Sequence, residues 1–428
     1  MSENFLHFIW KTHKLPTNNI FTTNGEQVLI LQPGLHNIKE GPDFFNALLE
    51  IDGQQWAGNV EIHLKTSDWY AHGHEQDVNY DNVVLHVVWE EDTPVFRKDG
   101  SEIPTVELKH IVSAKLLKGY QSLFTHFGKA FINCENDLQK VDPSILQDWE
   151  ERLFFERLEE KSIQIFELLQ VSKNDWEKVL FCMLMKNFGL NTNGLVFLKA
   201  AMTIDFSIIR KLQHNPILLE ALLLGSVGLL SSSDDDDLYR ARLQREFDFL
   251  RKKFNLSRLK FLERPKFYGI RPHNFPTIRL AQLAQLYSGR RGLFQEVINV
   301  KNRTSYYRLF EVVAGKYWDN HYVFGKVSKS HKKRLNKRFI DLIITNTVIP
   351  LRFCYAKKTG NGLEDTLVTT MLNIPKERNV VIDRFEHAGW STTNALQSQS
   401  KLQLHANYCT KQKCLQCSVG TFLLGRNL

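Results

Sequence analysis

The residues best suited to chemistry lie early in the chain, around an Asp and a Glu that stand 18 positions apart. Asp43 follows a Gly-Pro turn and leads into an apolar run, and Glu61 opens the alternating segment Glu61-Ile-His63-Leu-Lys65. Because side chains alternate between the two faces of a strand, Glu61, His63 and Lys65 are predicted to form one polar row. Carboxylates from neighbouring strands suit Mg²⁺ or Mn²⁺. We predict that Asp43 and Glu61 hold such an ion, while His63 or Lys65 orients the attacking water.

Histidines provide an alternative set of metal ligands in the same region. His63, His72 and His74 fall within twelve positions, and eight of the 15 histidines lie in residues 1–110. Imidazoles with a carboxylate are the ligands of many transition-metal hydrolases, so the alternative is a Zn²⁺ or Mn²⁺ hydrolase using these three histidines. A simpler interpretation also stays open, in which His72 and His74 cap a polar connection and His86 is a hydrogen-bonded core residue.

The last twenty residues contain three of the six cysteines, at the spacing Cys409-x4-Cys414-x2-Cys417. Two thiolates separated by two residues can reach one metal ion, and Cys134 could supply a fourth ligand. The prediction is therefore a Zn²⁺ ion or an iron–sulfur cluster at these four cysteines, with reduced, partly buried thiols as the alternative. The spacing does not resemble an extracellular disulfide framework, and the N-terminus lacks a secretory pattern, so we expect a cytoplasmic location.

Charge is distributed unevenly along the chain. Residues 1–110 carry 7 Lys and Arg against 17 Asp and Glu, whereas the other residues carry 48 against 30. A basic part of this kind suits a polyanionic partner, DNA or RNA, although it also suits a merely solubilising surface. The candidate contacts are a dense basic run at 326–338 and two arginines near a helix start: Arg271, Arg279, Lys332, Lys333, Arg334 and Lys337.

The apolar periodicity changes once along the chain. It predicts a helix at residues 4–12 and strands at 27–31, 44–51, 60–64 and 83–89, and then mostly helices, including 144–170, 175–188, 239–254 and 276–287. We therefore predict an α+β domain at 1–125 and a mainly helical, basic domain at 126–428 that ends in the cysteine cluster. No stretch approaches the roughly 20 apolar residues of a membrane helix, so no membrane contact is expected.

The order helix, three strands, connection and strand, with Asp43 before the second strand and Glu61 on the third, resembles the PD-(D/E)xK nuclease superfamily. That resemblance implies a restriction-endonuclease-like mixed sheet with flanking helices, and Mg²⁺-dependent phosphodiester hydrolysis on DNA or RNA. His63 departs from it, since it stands where that pattern has Lys. A non-catalytic scaffold that binds nucleic acid or protein through a degenerate site is the remaining alternative.

The chain as a whole is similar to a bacterial family known only as a domain of unknown function. The similarity runs from Trp10 through Gly41-Pro-Asp-Phe44 to Cys414-Leu-Gln-Cys417. It implies no activity, substrate or oligomeric state, so the functional expectation rests on the residues named above.

Overall fold

The chain forms two compact units in the computed structural model, which describes residues 1–16, 19–125, 130–231, 237–256, 264–360, 362 and 364–425. The first unit consists of Met1–Trp149, Arg384–Trp390 and Leu404–Leu428, and the second of Glu150–Asp383 and Ser391–Gln403. This division differs from the predicted boundary at 125/126, because the chain returns to the first unit at its end. The C-terminal cysteines therefore belong to the first unit and not to the helical one.

The sheet of the first unit has six strands and a mixed strand direction. The strands are β1 (Val28–Gln32), β2 (Leu35–His36), β3 (Phe44–Ile51), β4 (Gln54–Lys65), β5 (Val83–Glu90) and β6 (Thr105–Glu107). Their order is β1-β3-β4-β5-β6, with β2 paired to β3. β1, β3 and β4 are antiparallel neighbours, whereas β5 runs parallel to β4 and β6 parallel to β5.

The helices are bounded as follows: α1 (Glu3–Lys11), α2 (Asp68–Ala71), α3 (Ala114–Thr125), α4 (Pro143–Val171), α5 (Trp176–Phe188), α6 (Leu190–Thr203), α7 (Phe206–Leu212), α8 (Pro216–Ser226), α9 (Leu238–Lys253), α10 (Pro276–Tyr287), α11 (Leu293–Asn299), α12 (Arg303–Leu309), α13 (Lys337–Ile343), α14 (Ile349–Thr359), α15 (Glu364–Leu372), α16 (Val380–His387), α17 (Ala395–Leu404) and α18 (Ser418–Gly425). Besides its helices, the second unit contains a two-stranded sheet formed by β7 (His321–Val323) and β8 (Lys326–Val327). The predicted α+β class, a mixed sheet followed mostly by helices, is confirmed.

The core of the first unit forms where apolar positions of α1 meet the sheet. Helix α1 buries Phe5, Leu6, Phe8, Ile9 and Trp10, and the indole N–H of Trp10 donates to the carbonyl of Pro33 at 3.0 Å. In the central strand β4, Ile62 joins this core while its neighbours Glu61 and His63 are also buried. Burying polar side chains costs free energy unless they find partners, so the second face of β4 must hold a polar cluster.

One described helix, Lys337–Thr359, is long and apolar enough to cross a membrane by length and composition alone. It joins α13, a π-helical turn at Ile344–Val348 and α14, and 78% of its most apolar window is buried in the protein. A second candidate requires α6 and α7 to be taken together across an 86° bend. Polar residues such as Asn346 and Arg352 interrupt the apolar residues of this helix, which is why no membrane-spanning segment was predicted from the sequence. Buried core helices pass the same test, so cytoplasmic location stays a prediction.

Candidate metal centre

Asp43 and Glu61 lie side by side where β3 begins. Phe44, the first residue of β3, pairs with Val60 of β4, and this register sets Asp43 opposite Glu61. The two residues exchange contacts, because the backbone N–H of Asp43 donates to Glu61 Oε2 and that of Ile62 donates to Asp43 Oδ2, both at 3.0 Å. Each carboxylate is thus held by the backbone of the other strand. The structure brings this predicted pair together.

Helix α1 supplies a further imidazole to the carboxylate pair. His7 Nε2 lies 3.1 Å from Asp43 Oδ2, and both side chains are largely buried. Glu3, one turn earlier on the helix, has its pKa raised by burial and then by the charge of Asp43. The helix therefore closes one side of the site with a histidine and a carboxyl group.

The predicted histidines converge on the other side of Glu61. Glu61 Oε1 lies 3.4 Å from both His63 Nε2 and His74 Nε2. His63 is the centre of the group: its Nε2 is 3.2 Å from His72 Nδ1, and its Nδ1 is 2.9 Å from His86 Nε2. The parallel register of β4 and β5 pairs Glu61 with His86, which explains why the latter is near. Glu61 therefore belongs to both predicted sets of ligands.

Burial keeps the imidazoles of His63 and His86 neutral. It lowers the pKa of His63 to about 2, with the neighbouring histidines, His86 first, acting in the same direction. It also lowers the pKa of His86 to about 3, with a smaller contribution from His74. The pKa of Glu61 is raised, mainly by burial, although its hydrogen bond with His74 opposes that effect. Neutral imidazoles have a free lone pair, which is the form that binds metal ions.

Two aromatic side chains fix the position of His74. Its ring stacks on Tyr80 with centroids 3.8 Å apart, and Trp69 packs edge-on against it at 5.3 Å. Trp69 and Tyr80 are themselves buried in a small apolar cluster beneath the connection from β4 to β5. The polar connection is therefore an ordered wall of the site, held by apolar packing.

The ligand atoms have spacings that fit a metal ion. Those of His63, His72 and His74 all lie within 4.8 Å of one another. Bonds of about 2.1 Å in a tetrahedral site place ligand atoms roughly 3.4 Å apart, which matches the two contacts of Glu61 Oε1. A hydrogen bond from His63 Nδ1 to His86 Nε2 would leave His63 Nε2 free for the ion, the usual support for a metal-binding imidazole. Glu61 and these three histidines can therefore hold a divalent transition metal.

Lys65 does not contact the carboxylates of the site, Asp43 and Glu61, although it was predicted to share the face of Glu61 and His63. Its ammonium group is 3.6 Å from Asp92 Oδ2 and its side chain is 57% exposed. β4 ends at this residue, and its backbone N–H donates to Asp68 at the start of α2. The polar row therefore extends only over Glu61 and His63.

The sequence analysis missed the contribution of His7 and considered His86 only as a possible hydrogen-bonded core residue. His86 is fully buried, as that interpretation held, but it also contacts a candidate ligand. The sequence signal for it was a histidine inside an otherwise apolar strand. No signal pointed to His7, because its place in the site depends on how α1 packs against the sheet.

The predicted nucleic-acid contacts divide into exposed and buried cations. Arg271, Lys332, Arg334 and Lys337 are exposed, although Lys332 pairs with Asp319 and Arg334 with Glu311. Lys333 and Arg279 are only 3% and 2% exposed. The Lys333 ammonium donates to the carbonyl of Asp319 at 2.7 Å and lies over the ring of Tyr322. The prediction that Lys333 and Arg279 contact nucleic acid is therefore corrected. Both side chains have structural roles, because buried cations with internal partners cannot reach a phosphate.

Arg279→Ala is expected to lower the free energy of unfolding by about 2–4 kcal/mol, since it removes buried hydrogen bonds and packing. The guanidinium lies 3.4 Å from the ring centroid of Phe339 and donates to Gln282 and Asn274. Urea denaturation measures the effect, with the exposed Arg271→Ala as the matched control. Unchanged stability together with weaker binding to DNA would restore the predicted contact role.

The four predicted thiol ligands also come together, in a second place. Cys134, Cys409, Cys414 and Cys417 line one cavity of the first unit. All four are free thiols. The remaining two, Cys182 and Cys354, are buried in the core of the second unit.

The fold and site define the class of protein as an α+β chain whose sheet holds a buried cluster of histidines and carboxylates. The chain belongs to the family described as Protein of unknown function (DUF2851), whose model matches residues 3–380. This confirms the similarity to an uncharacterised family over nearly the whole chain, although the match ends before the C-terminal cysteines. No curated protein and no solved structure matches the chain. The residues of the site are therefore the basis for its chemistry.

Proposed function

We propose that this protein is a metal-dependent hydrolase whose centre is formed by Glu61, His63, His72 and His74. The observation that carries the proposal is the position of Glu61, whose Oε1 lies 3.4 Å from two imidazole nitrogens while its Oε2 is held by the backbone of Asp43. A divalent ion at such a site supplies Lewis acidity, which polarises the scissile group and lowers the pKa of a water molecule.

The ligand types favour Mn²⁺ or Zn²⁺ over Mg²⁺. Imidazole nitrogen suits transition metals, whereas Mg²⁺ prefers oxygen ligands and keeps several waters. Asp43 borders the site with one oxygen held by Ile62 N–H and His7. Its role in the proposal is to orient the substrate or the water at the edge of the site. The oxygen-only Mg²⁺ site at Asp43 and Glu61 becomes the less favoured alternative.

For the substrate we propose a phosphodiester of DNA or RNA. Helix α1, the three antiparallel strands β1, β3 and β4, and the parallel strand β5 follow one another in the order of the PD-(D/E)xK nuclease core. Asp43 precedes the second of these strands, and Glu61 lies on the third. The difference is chemical: a neutral His63 stands in place of a lysine cation. The exposed cations Arg271, Lys332, Arg334 and Lys337 are the proposed contacts to the phosphate backbone.

A cleavage assay tests the proposal. Protein stripped with a chelator is titrated with Mn²⁺, Zn²⁺ and Mg²⁺ against single-stranded, double-stranded and branched DNA and against RNA. We expect cleavage with Mn²⁺ or Zn²⁺ that exceeds the rate with Mg²⁺ and that is lost in His74→Ala. The exposed His110→Ala is the matched control and retains the activity. Absence of metal-dependent cleavage across that panel would leave the scaffold interpretation in its place.

A further inference from the structure

The four converging cysteines come from segments far apart in the chain. Cys134 immediately precedes a 3₁₀ helix at Glu135–Lys140, whereas Cys409 ends a π-helical turn at His405–Cys409. Cys414 opens a second 3₁₀ helix and Cys417 immediately precedes α18. The segment between Cys134 and Cys409 includes the whole second unit. Four reduced thiols from two distant segments on one cavity are a ligand set that packing alone does not require.

The thiols face one another inside an apolar enclosure. Burial raises the pKa of Cys134, and the nearby Cys417 and Cys414 raise it further. Cys409 is affected in the same way, by burial first and then by the other three thiols. Leu138, Trp390, Leu404 and Tyr408 are among the other residues that line the cavity. The four sulfurs therefore lie close enough to influence one another, with Cys417 buried and the other three cysteines half-buried.

Donors aimed at the sulfurs suit thiolates better than thiols. The side-chain amide of Asn133 donates to Cys414 Sγ at 3.5 Å. The backbone N–H groups of Val419 and Gly420, in the first turn of α18, lower the pKa of Cys417 and so oppose the effect of burial. A Cβ at Gly420 would lie 2.1 Å from the carbonyl oxygen of Cys414, so glycine is required for this close approach. Hydrogen bonds to ligand sulfurs are a recurrent feature of iron–sulfur sites.

The spacing of the sulfurs separates a single ion from a cluster. Four thiolates on one Zn²⁺, with bonds of about 2.3 Å, lie about 3.8 Å from one another. Among the residues that the structure describes, the one group of three metal-ligating atoms lying mutually within 4.8 Å is that of His63, His72 and His74. The thiol sulfurs are therefore spread more widely than a zinc site requires. A four-iron cluster needs wider spacing, because each thiolate binds a different iron.

We propose that Cys134, Cys409, Cys414 and Cys417 hold a [4Fe–4S] cluster that fastens the C-terminal segment to the first unit. Each sulfur binds one iron and releases one proton, so assembly from two ferrous ions, two ferric ions and four sulfide ions frees four protons from the chain and needs no further oxidant. The site is separate from the histidine and carboxylate centre and does not depend on the proposed hydrolase activity. Its role is to close the first unit after the long inserted second unit.

The experiment uses the full chain, purified without oxygen and reconstituted with equal amounts of ferrous and ferric iron and with sulfide. We expect about four irons and four sulfides per chain, with the visible absorption of a four-iron cluster. Cys409→Ser and Cys417→Ser should lose this absorption, while the matched controls Cys182→Ser and Cys354→Ser should keep it. Stoichiometric zinc without iron, or no bound metal, would overturn the proposal.

A second measurement tests the cluster even if the cysteine variants fail to fold. The Mössbauer spectrum of the ⁵⁷Fe-reconstituted wild-type protein requires no substitution, and a four-iron signal is expected. A spectrum that shows two-iron or mononuclear iron and no four-iron signal would contradict the assignment. Removal of the cluster by a chelator and oxidant should also expose the segment 404–425 to proteolysis. Unchanged protection of this segment would contradict the fastening role.

Discussion

Replacing Glu61 by Gln is expected to reduce metal-dependent hydrolysis by on the order of 100-fold or more, and to raise the melting temperature of the metal-free protein. The substitution keeps the size of the side chain but removes the charge that lies 3.4 Å from His63 Nε2 and His74 Nε2. In the absence of metal that charge is unfavourable, since burial and the nearby Asp43 raise the pKa of Glu61. In Glu61→Gln the hydrolysis rate should therefore fall while the melting temperature of the metal-free protein rises. A misfolded variant would lose both activity and stability.

The control for this prediction is Glu50→Gln on the neighbouring strand β3. Glu50 lies about 20 Å along the strand from the site, at about 3.3 Å per residue, and pairs with Gln55. It should change neither readout. Loss of activity accompanied by a lower melting temperature of the metal-free Glu61→Gln protein would contradict the assigned role.

Asp43→Asn separates the two metal hypotheses. If the ion is bound by the two carboxylates alone, Asp43→Asn and Glu61→Gln should weaken Mn²⁺ binding to a similar degree. In the centre proposed here, Asp43 lies beside the ligands, and an Asn oxygen can still accept from Ile62 N–H. We therefore expect a clearly smaller loss of affinity in Asp43→Asn, measured by titration calorimetry. Equal losses would favour the carboxylate-only site.

Acid should destabilise the metal-free protein steeply below about pH 6. His63 and His86 titrate near 6.5 when unfolded, whereas folding lowers their pKa values to about 2 and about 3. Between these limits the unfolded state binds more protons, so stability falls as pH falls. Two such groups contribute up to about 2.7 kcal/mol per pH unit. The raised pKa of Glu61 opposes this effect, because in its own range the folded state binds the additional proton.

Urea denaturation of chelator-treated protein between pH 7.5 and 4.5 measures this dependence. His86→Leu removes one titrating group whose Nδ1 has no hydrogen-bond partner, so the slope should fall by about 1.4 kcal/mol per pH unit. The exposed His13→Leu is the matched control and should leave the slope unchanged. An identical slope in His86→Leu and wild type would show that this imidazole is not kept neutral by folding.

Local patterns were sufficient to predict the elements that position the site. Alternation at 44–51 and 60–64 predicted β3 and the second half of β4, and the same rule placed Glu61 and His63 on one face. The first half of β4, from Gln54, was not predicted. Helices predicted at 144–170 and 276–287 correspond to α4 and α10 within a residue or two. These elements depend on residues that are close together in the chain, which is why they can be predicted from a single sequence.

Features that depend on distant contacts were not predictable in the same way. His7 reaches Asp43 only because α1 packs on the sheet, and Lys65 turns to Asp92 because β4 ends there. The density of positive charge around Lys333 gave no sign that its ammonium is buried over an aromatic ring. The spacing of the cysteines did indicate that the C-terminal segment returns to Cys134, but the return of Arg384–Trp390 to the first unit depends on packing between distant residues.

The most direct test of the central claim is anomalous diffraction from crystals of the protein soaked with Mn²⁺ or Zn²⁺. The account predicts one strong peak about 2.0–2.2 Å from nitrogen atoms of His63, His72 and His74 and from Glu61 Oε1. The peak should disappear in crystals of His63→Ala, while any signal at the four cysteines remains. A peak bound by Asp43 and Glu61 without the histidines, or no peak in this part of the sheet, would contradict the proposed centre.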